Sequence, residues 1–182
     1  MHNSEDGQLV DPNSPNGNAY LLKDETASDV CLSCHATSRG AVWPADTATV
    51  VEKGGGKFKW LTVANINDGR NGNQPAYYIP GYKGGHNIIA PSKNSGADPV
   101  LTLSPGGNYP GSAMSCTSCH DPHGRETFRF LYGVGHVEAG NYTFVNAAPN
   151  CEQGPNFSSS TEAESPSLHT AYLGGMSAWC AN

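Results

Sequence analysis

Four of the six cysteines fall into two copies of one pattern, Cys31-Leu32-Ser33-Cys34-His35 and Cys116-Thr117-Ser118-Cys119-His120. Cys-x-x-Cys-His is the attachment signal for c-type haem. Two thiols three residues apart on a helical turn match the edge of a porphyrin and add across its vinyl groups. The histidine that follows then sits under the ring and gives the iron an axial nitrogen. One copy can arise by chance. Two copies, both closed by His, in a chain with only six Cys and seven His are a different matter. In a zinc ribbon the paired cysteines stand ~15–20 residues apart, far closer than Cys34 and Cys116. A thioredoxin-like redox pair accounts for one motif, not both. The spacing therefore predicts two haem c groups, held covalently by Cys31, Cys34, Cys116 and Cys119, with His35 and His120 as proximal iron ligands.

This pattern decides the fold class. With 22 Gly and 13 Pro in 182 residues, long helices and strands are not expected, and 37% hydrophobic content makes a thin core for this length. Two rigid apolar macrocycles supply what the side chains lack. The expected fold is mostly irregular and loop-rich, with short helices and a small β-hairpin around a haem-centred core, and with a largely unfolded apo-protein. Residues 1–27, polar and rich in turn formers, read as an N-terminal arm, and 28–182 as a single dihaem domain. Ser28-Asp29 is expected to cap the first motif's helical turn and Ser112 that of the second. A strand pair is expected over Lys57–Val63 and Ala76–Tyr82, and a hairpin brings Phe128, Phe130 and Tyr132 against Tyr142 and Phe144. An exposed loop is expected over 150–165. Ser165-Pro166 opens a last helix that Gly174-Gly175 ends.

The second axial ligand decides what each iron does. An open position allows substrate chemistry, whereas His or Met closing it leaves electron transfer. Five histidines are spare: His2, His86, His123, His136 and His169. His86 follows two glycines that let backbone approach a flat ligand closely, and is expected to be a distal ligand. His123, three residues beyond His120, cannot grip the same iron, because one turn does not reach both faces of a plate. It serves a neighbouring haem or caps a helix end. His169 lies on the expected last helix near Met176. His2 sits in an arm able to reach another subunit, and His136 reads as a loop residue. Met114 and Met176 are conceivable ligands, but methionine more often fills gaps in a core, and the surplus of histidine points to low-potential bis-His haems.

The net charge of −6 and the lack of a basic stripe exclude nucleic acid as a partner, and no apolar run approaches the ~20 residues of a membrane helix. Met1 leads straight into His2-Asn3-Ser4-Glu5-Asp6, as in an exported mature chain whose signal has been removed. In that compartment Cys151 and Cys180 are expected to form a disulfide worth roughly 3–4 kcal/mol; two free buried thiols are the alternative. Gly54-Gly55-Gly56-Lys57 lacks the spacing of a phosphate loop, and 65–73 lacks the pattern of a calcium loop. Asn141-Tyr142-Thr143 and Asn156-Phe157-Ser158 match a glycosylation pattern of low specificity.

Cys116–Gly124, Gly84–Ile88 and Gly175–Cys180 look like segments of the extracellular multihaem c-type cytochromes of metal-reducing bacteria, some of which polymerise into haem-lined filaments. The resemblance covers scattered stretches from about residue 20 onward. It implies His120 as proximal ligand, His123 as distal ligand to an adjacent haem, and His86 as a further distal ligand. It also implies a homopolymer outside the cell, with haem contact or His2 or His169 ligation between subunits, passing electrons to redox proteins or extracellular acceptors without being an enzyme. One departure matters: in similar chains a Trp-Cys such as Trp179-Cys180 often begins a further haem motif. Here a lost third site, with Cys180 paired to Cys151, is the expectation, against a chain that runs further. The rival functions are a soluble periplasmic shuttle and a dihaem peroxidase or reductase with one five-coordinate iron.

Overall fold

A computed structural model describes residues 16, 22–36, 42–43, 58–67, 77–104, 107–153 and 170–182. The expectations for His2, His169, residues 1–15 and the opening of the last helix fall outside them. Among the described residues regular structure is sparse, as the Gly and Pro content dictates: helix α1 (Ala27–His35), six two- to five-residue strands, helix α2 (Met176–Cys180) and several 3-10 turns. The strands form three separate antiparallel pairs: β1 (Ile66–Asn67) with β2 (Tyr78–Ile79), β3 (Val137–Glu138) with β4 (Tyr142–Thr143), and β5 (Asn150–Gln153) with β6 (Thr170–Gly174). No helix among the described residues is long and apolar enough to cross a membrane.

Two small apolar clusters replace a single core. Leu32, Trp43, Ile88 and Ala90 form the first, with Phe58, Met114 and Cys116 packed against it. Leu131, Tyr132, Phe144 and Trp179 form the second, with Cys119, Ala148 and Met176 at its margin. The second Cys-x-x-Cys-His motif stands between them, one cysteine facing each. Helix α2 docks through its buried tryptophan: Trp179 Nε1 donates to the Tyr132 carbonyl at 2.7 Å. The Asn182 side chain then ties this end to the 145–146 backbone, its Oδ1 accepting from Val145 N and Asn146 N.

Several local expectations are corrected. Thr26, not Ser28-Asp29, caps α1, its hydroxyl accepting from Asp29 N at 3.1 Å. Ser115, not Ser112, caps the second motif, in a reciprocal arrangement with Ser118. The stretch Phe58–Thr62 is a 3-10 turn rather than a strand. Its carbonyls approach Gly81 so closely that a Cβ there would stand 2.1 Å from the Trp60 oxygen, and strand pairing begins only at Ile66–Asn67. Phe128–Phe130 is likewise a 3-10 turn, so the hairpin starts at Val137, with Val137 opposite Thr143 and Glu138 opposite Tyr142. Thr170–Gly174 is a strand where the end of a helix was expected, because Asn150–Gln153 pairs with it; that same pairing puts a strand at the head of the expected 150–165 loop.

Candidate functional site: two thiol-histidine turns side by side

The first motif is the C-terminal half of α1. Thr26 supplies the cap, and Asp29 in the first turn suits the positive end of the helix dipole. Ser28 and Asp29 are 0% and 1% exposed, and their polar atoms are spoken for. Asp29 Oδ1 accepts from the Ser92 amide and hydroxyl at 3.2 and 2.6 Å, and Oδ2 accepts from the Thr26 hydroxyl at 2.8 Å. Leu32, 2% exposed, enters the first cluster. Cys31 and Cys34, three apart on the helix, share one face, and the turn that bears Ser33, Cys34 and His35 is exposed.

The second motif is a 3-10 turn, Cys116–Ser118, where residues three apart eclipse. The same three-residue spacing separates Cys116, packed against the first cluster, from Cys119, packed against the second. Here the inner residue is Ser118, whose hydroxyl lies 3.0 Å from the Tyr109 hydroxyl and accepts from Ser115 N at 3.1 Å. Tyr109 in turn packs edge-on against Tyr142, ring centres 4.9 Å apart. His120 is half-buried, and its Nδ1 sits 2.6 Å from the Arg129 carbonyl.

That carbonyl is delivered by a clip. Residues 128–132 run antiparallel to Cys119–Asp121: Tyr132 N donates to the Cys119 carbonyl at 3.0 Å and Asp121 N to the Phe130 carbonyl at 2.9 Å. The turn needs Arg129 and Phe130 both in the left-handed region, at φ 55° and 57°, which costs a side-chain-bearing residue about 1–2 kcal/mol. Thr127 Oγ1 donates to the Leu131 carbonyl at 2.6 Å and closes the loop.

The two motifs touch. Cys116 N donates to Ser28 Oγ at 3.1 Å, and the Cys31 and Cys116 thiols lie close enough to shift each other's titration. The Cys116 thiol and burial push the Cys31 thiol well up, while Cys31 and the Ser28 hydroxyl pull Cys116 down against its own burial. Burial, then the neighbouring Cys180, Cys116 and Glu138, push Cys119 up to about 12. Burial lowers His120, against the pull of the Arg129 carbonyl. That direction favours the neutral imidazole, the form that ligates a metal. His35 lies near enough for its charge to be felt at His120.

None of the four motif cysteines is in a disulfide, both pairs have the three-residue spacing, and His120 with Nδ1 engaged leaves Nε2 for an iron. These residues fit covalently attached haem. They do not fit a bare ion: among the described residues no three His, Cys, Asp or Glu side chains converge as a metal site.

The spare histidines divide. His86 is exposed at the edge of an open groove of about 590 Å3 whose walls include Val100, Leu101, Leu103 and Met114, the last also lying against the first cluster. The Asn87 amide, donating to the Tyr82 carbonyl and Asp98 carboxylate, fixes the backbone beside it. His123 is 88% exposed, 3.5 Å from the Asp121 carboxylate, and points away from the chain. His136 is stacked on Tyr132, ring centres 3.3 Å apart, with Nε2 3.3 Å from Glu138. Cys151 and Cys180 are free thiols, not bonded to each other; Cys180 neighbours Cys119 instead. Sequence reasoning missed Ser28, Asp29, Tyr109 and the Arg129 carbonyl. The adjacent Ser28-Asp29 pair was visible but was read as a cap.

No family model matches the chain. The C-type cytochrome OmcS of Geobacter sulfurreducens is 30% identical to it, over 100% of this chain and 52% of that protein. The Outer Membrane Cytochrome S filament from Geobacter sulfurreducens superposes with a TM-score of 0.74 at 28% identity, covering 100% of this chain and 56% of that one. The chain thus spans about half the length of the relatives it matches. The fold is theirs.

Proposed function

We propose that this chain, similar in sequence and fold to the C-type cytochrome OmcS, is a multihaem c-type cytochrome that transfers electrons through two covalently bound, bis-His haems as a subunit of an extracellular filament. The observation that carries the reading is the direct contact of the two motifs, Cys116 N donating to Ser28 Oγ at 3.1 Å. It holds the two attachment turns together within one chain. Bound haem supplies an iron that exchanges one electron at a time between its ferric and ferrous forms.

The chain's residues do the rest. Cys31, Cys34, Cys116 and Cys119 form the thioether links. His35 and His120 hold the proximal positions, and His120 does so through Nε2 because its Nδ1 is engaged. Leu101, Leu103 and Met114 give the open groove beside His86 apolar walls against which a macrocycle would pack, and His86 is the best-placed distal ligand among the described residues. His123, exposed and aimed outward, suits ligation of a haem that this chain does not itself carry. His2 and His169 are the remaining distal candidates. No acid, base or nucleophile is needed. A filament is supported by the likeness to a filament subunit and by the outward His123.

The natively produced chain is expected to carry two haems by intact mass, to show a low-spin spectrum unmoved by cyanide, and to form filaments in negative-stain microscopy. A bare polypeptide overturns the haem reading. A cyanide-sensitive high-spin iron points to the peroxidase or reductase, and monodisperse monomers to the soluble shuttle.

A further inference from the structure

We propose that the Arg129–Phe130 clip makes the two haem sites electrically unequal, the backbone carbonyl of Arg129 setting the lower reduction potential at the site ligated by His120. The inference rests on both motifs binding haem. His120 Nδ1 meets the Arg129 carbonyl at 2.6 Å, whereas the ring of His35, on an exposed turn, makes no hydrogen bond to any described residue. A ring N–H donated to a carbonyl fixes the tautomer and makes the other nitrogen a stronger donor to the metal. Stronger donation favours ferric over ferrous iron and so lowers the potential.

The contact is built rather than incidental. Two consecutive left-handed, side-chain-bearing residues are held against their own preference, and among the described residues the only such pair lies where it aims a carbonyl at the ligand. The Arg129 side chain points elsewhere, its Nη1 donating to the Tyr172 hydroxyl at 3.2 Å and its guanidinium lying over Phe128 at 5.0 Å. Its positive charge opposes the carbonyl by raising the potential, so the two contributions have opposite signs and can be separated. Arg129 is a positioning residue. An electron entering at the His120 site passes to the His35 site. One iron goes from ferrous to ferric and the other from ferric to ferrous, with no bond made or broken.

The test is a spectroelectrochemical titration of the two-haem protein, each step assigned by the NMR signals of the His35 and His120 rings. Two separated one-electron steps are expected, the lower at His120. Arg129→Gly is compatible with the left-handed turn and loses the charge together with the Tyr172 and Phe128 contacts, so its lower step stays or moves slightly down. Arg129→Val also loses the charge but cannot hold φ 55° without strain. Its lower step moves up by about tenfold in the reduction equilibrium, ~59 mV for one electron. The lower step at His35, or identical potentials for the glycine and valine variants, overturns the proposal. Should the valine variant fail to fold, exchange on the parent protein decides. The His120 Nδ1 proton is expected to be protected and that of His35 to exchange freely, and equal exchange overturns the idea. Intact mass and spin state on the same sample separate this failure from absence of haem.

Discussion

The two motifs differ in sequence at one position, Leu32 against Thr117, yet nearly everything around them differs. The first sits on a nine-residue helix anchored from beneath by a buried carboxylate, with its Cys34 and His35 end exposed. The second is a three-residue turn wedged between two apolar clusters, with its histidine half-buried and clipped. The lesson is that nearly the same five residues can be held by quite different supporting shells, and on the proposed function it is the shell that would set stability and potential.

The sharpest way to break this comparison is to remove one attachment pair at a time. The Cys31→Ala/Cys34→Ala variant is expected to lose one of two haems by intact mass and to retain one cooperative melt. The Cys116→Ala/Cys119→Ala variant loses one haem and also disturbs both clusters, so its melt broadens and falls further. Equal melts for the two would sink the idea that the second motif is the wedge. Next in size, Trp179→Ala in the holoprotein should cost about 3–5 kcal/mol in denaturant unfolding, with haem lost from the second site first. Asp29→Ala leaves the Ser92 and Thr26 donors without their acceptor and should cost about 1–3 kcal/mol, acting on the first site. The smallest contrast is between equivalent serines. Ser118→Ala is expected to cost about 1 kcal/mol through the Tyr109 and Ser115 bonds, and Ser33→Ala, on the exposed face, less than about 0.5 kcal/mol.

The motifs, the loop-rich fold and the family were legible because cysteine spacing and Gly and Pro content are local facts about a chain. Element identity was less so. Phe58-Lys59-Trp60 alternates like a strand, but a period of two over a few residues does not distinguish a strand from a 3-10 turn, and the close approach of Gly81 decided for the turn. Thr170–Gly174 became a strand through a partner twenty residues upstream, which no local propensity encodes. The clip was out of reach for another reason: every residue but proline offers the same carbonyl and amide, so a backbone acceptor leaves no mark in the alphabet. Only the arginine and phenylalanine at positive φ betray it, and that is a property of coordinates.

The bond from the Cys116 amide to the Ser28 hydroxyl has a kinetic consequence. Tunnelling falls off exponentially with the gap it must cross, so a conductor made of polymer has to keep that gap from breathing. Spanning eighty-eight positions of sequence with one short backbone-to-side-chain tie turns a fluctuating separation into a fixed one. On the function proposed above, the pace of charge would then depend on a serine that never meets the current.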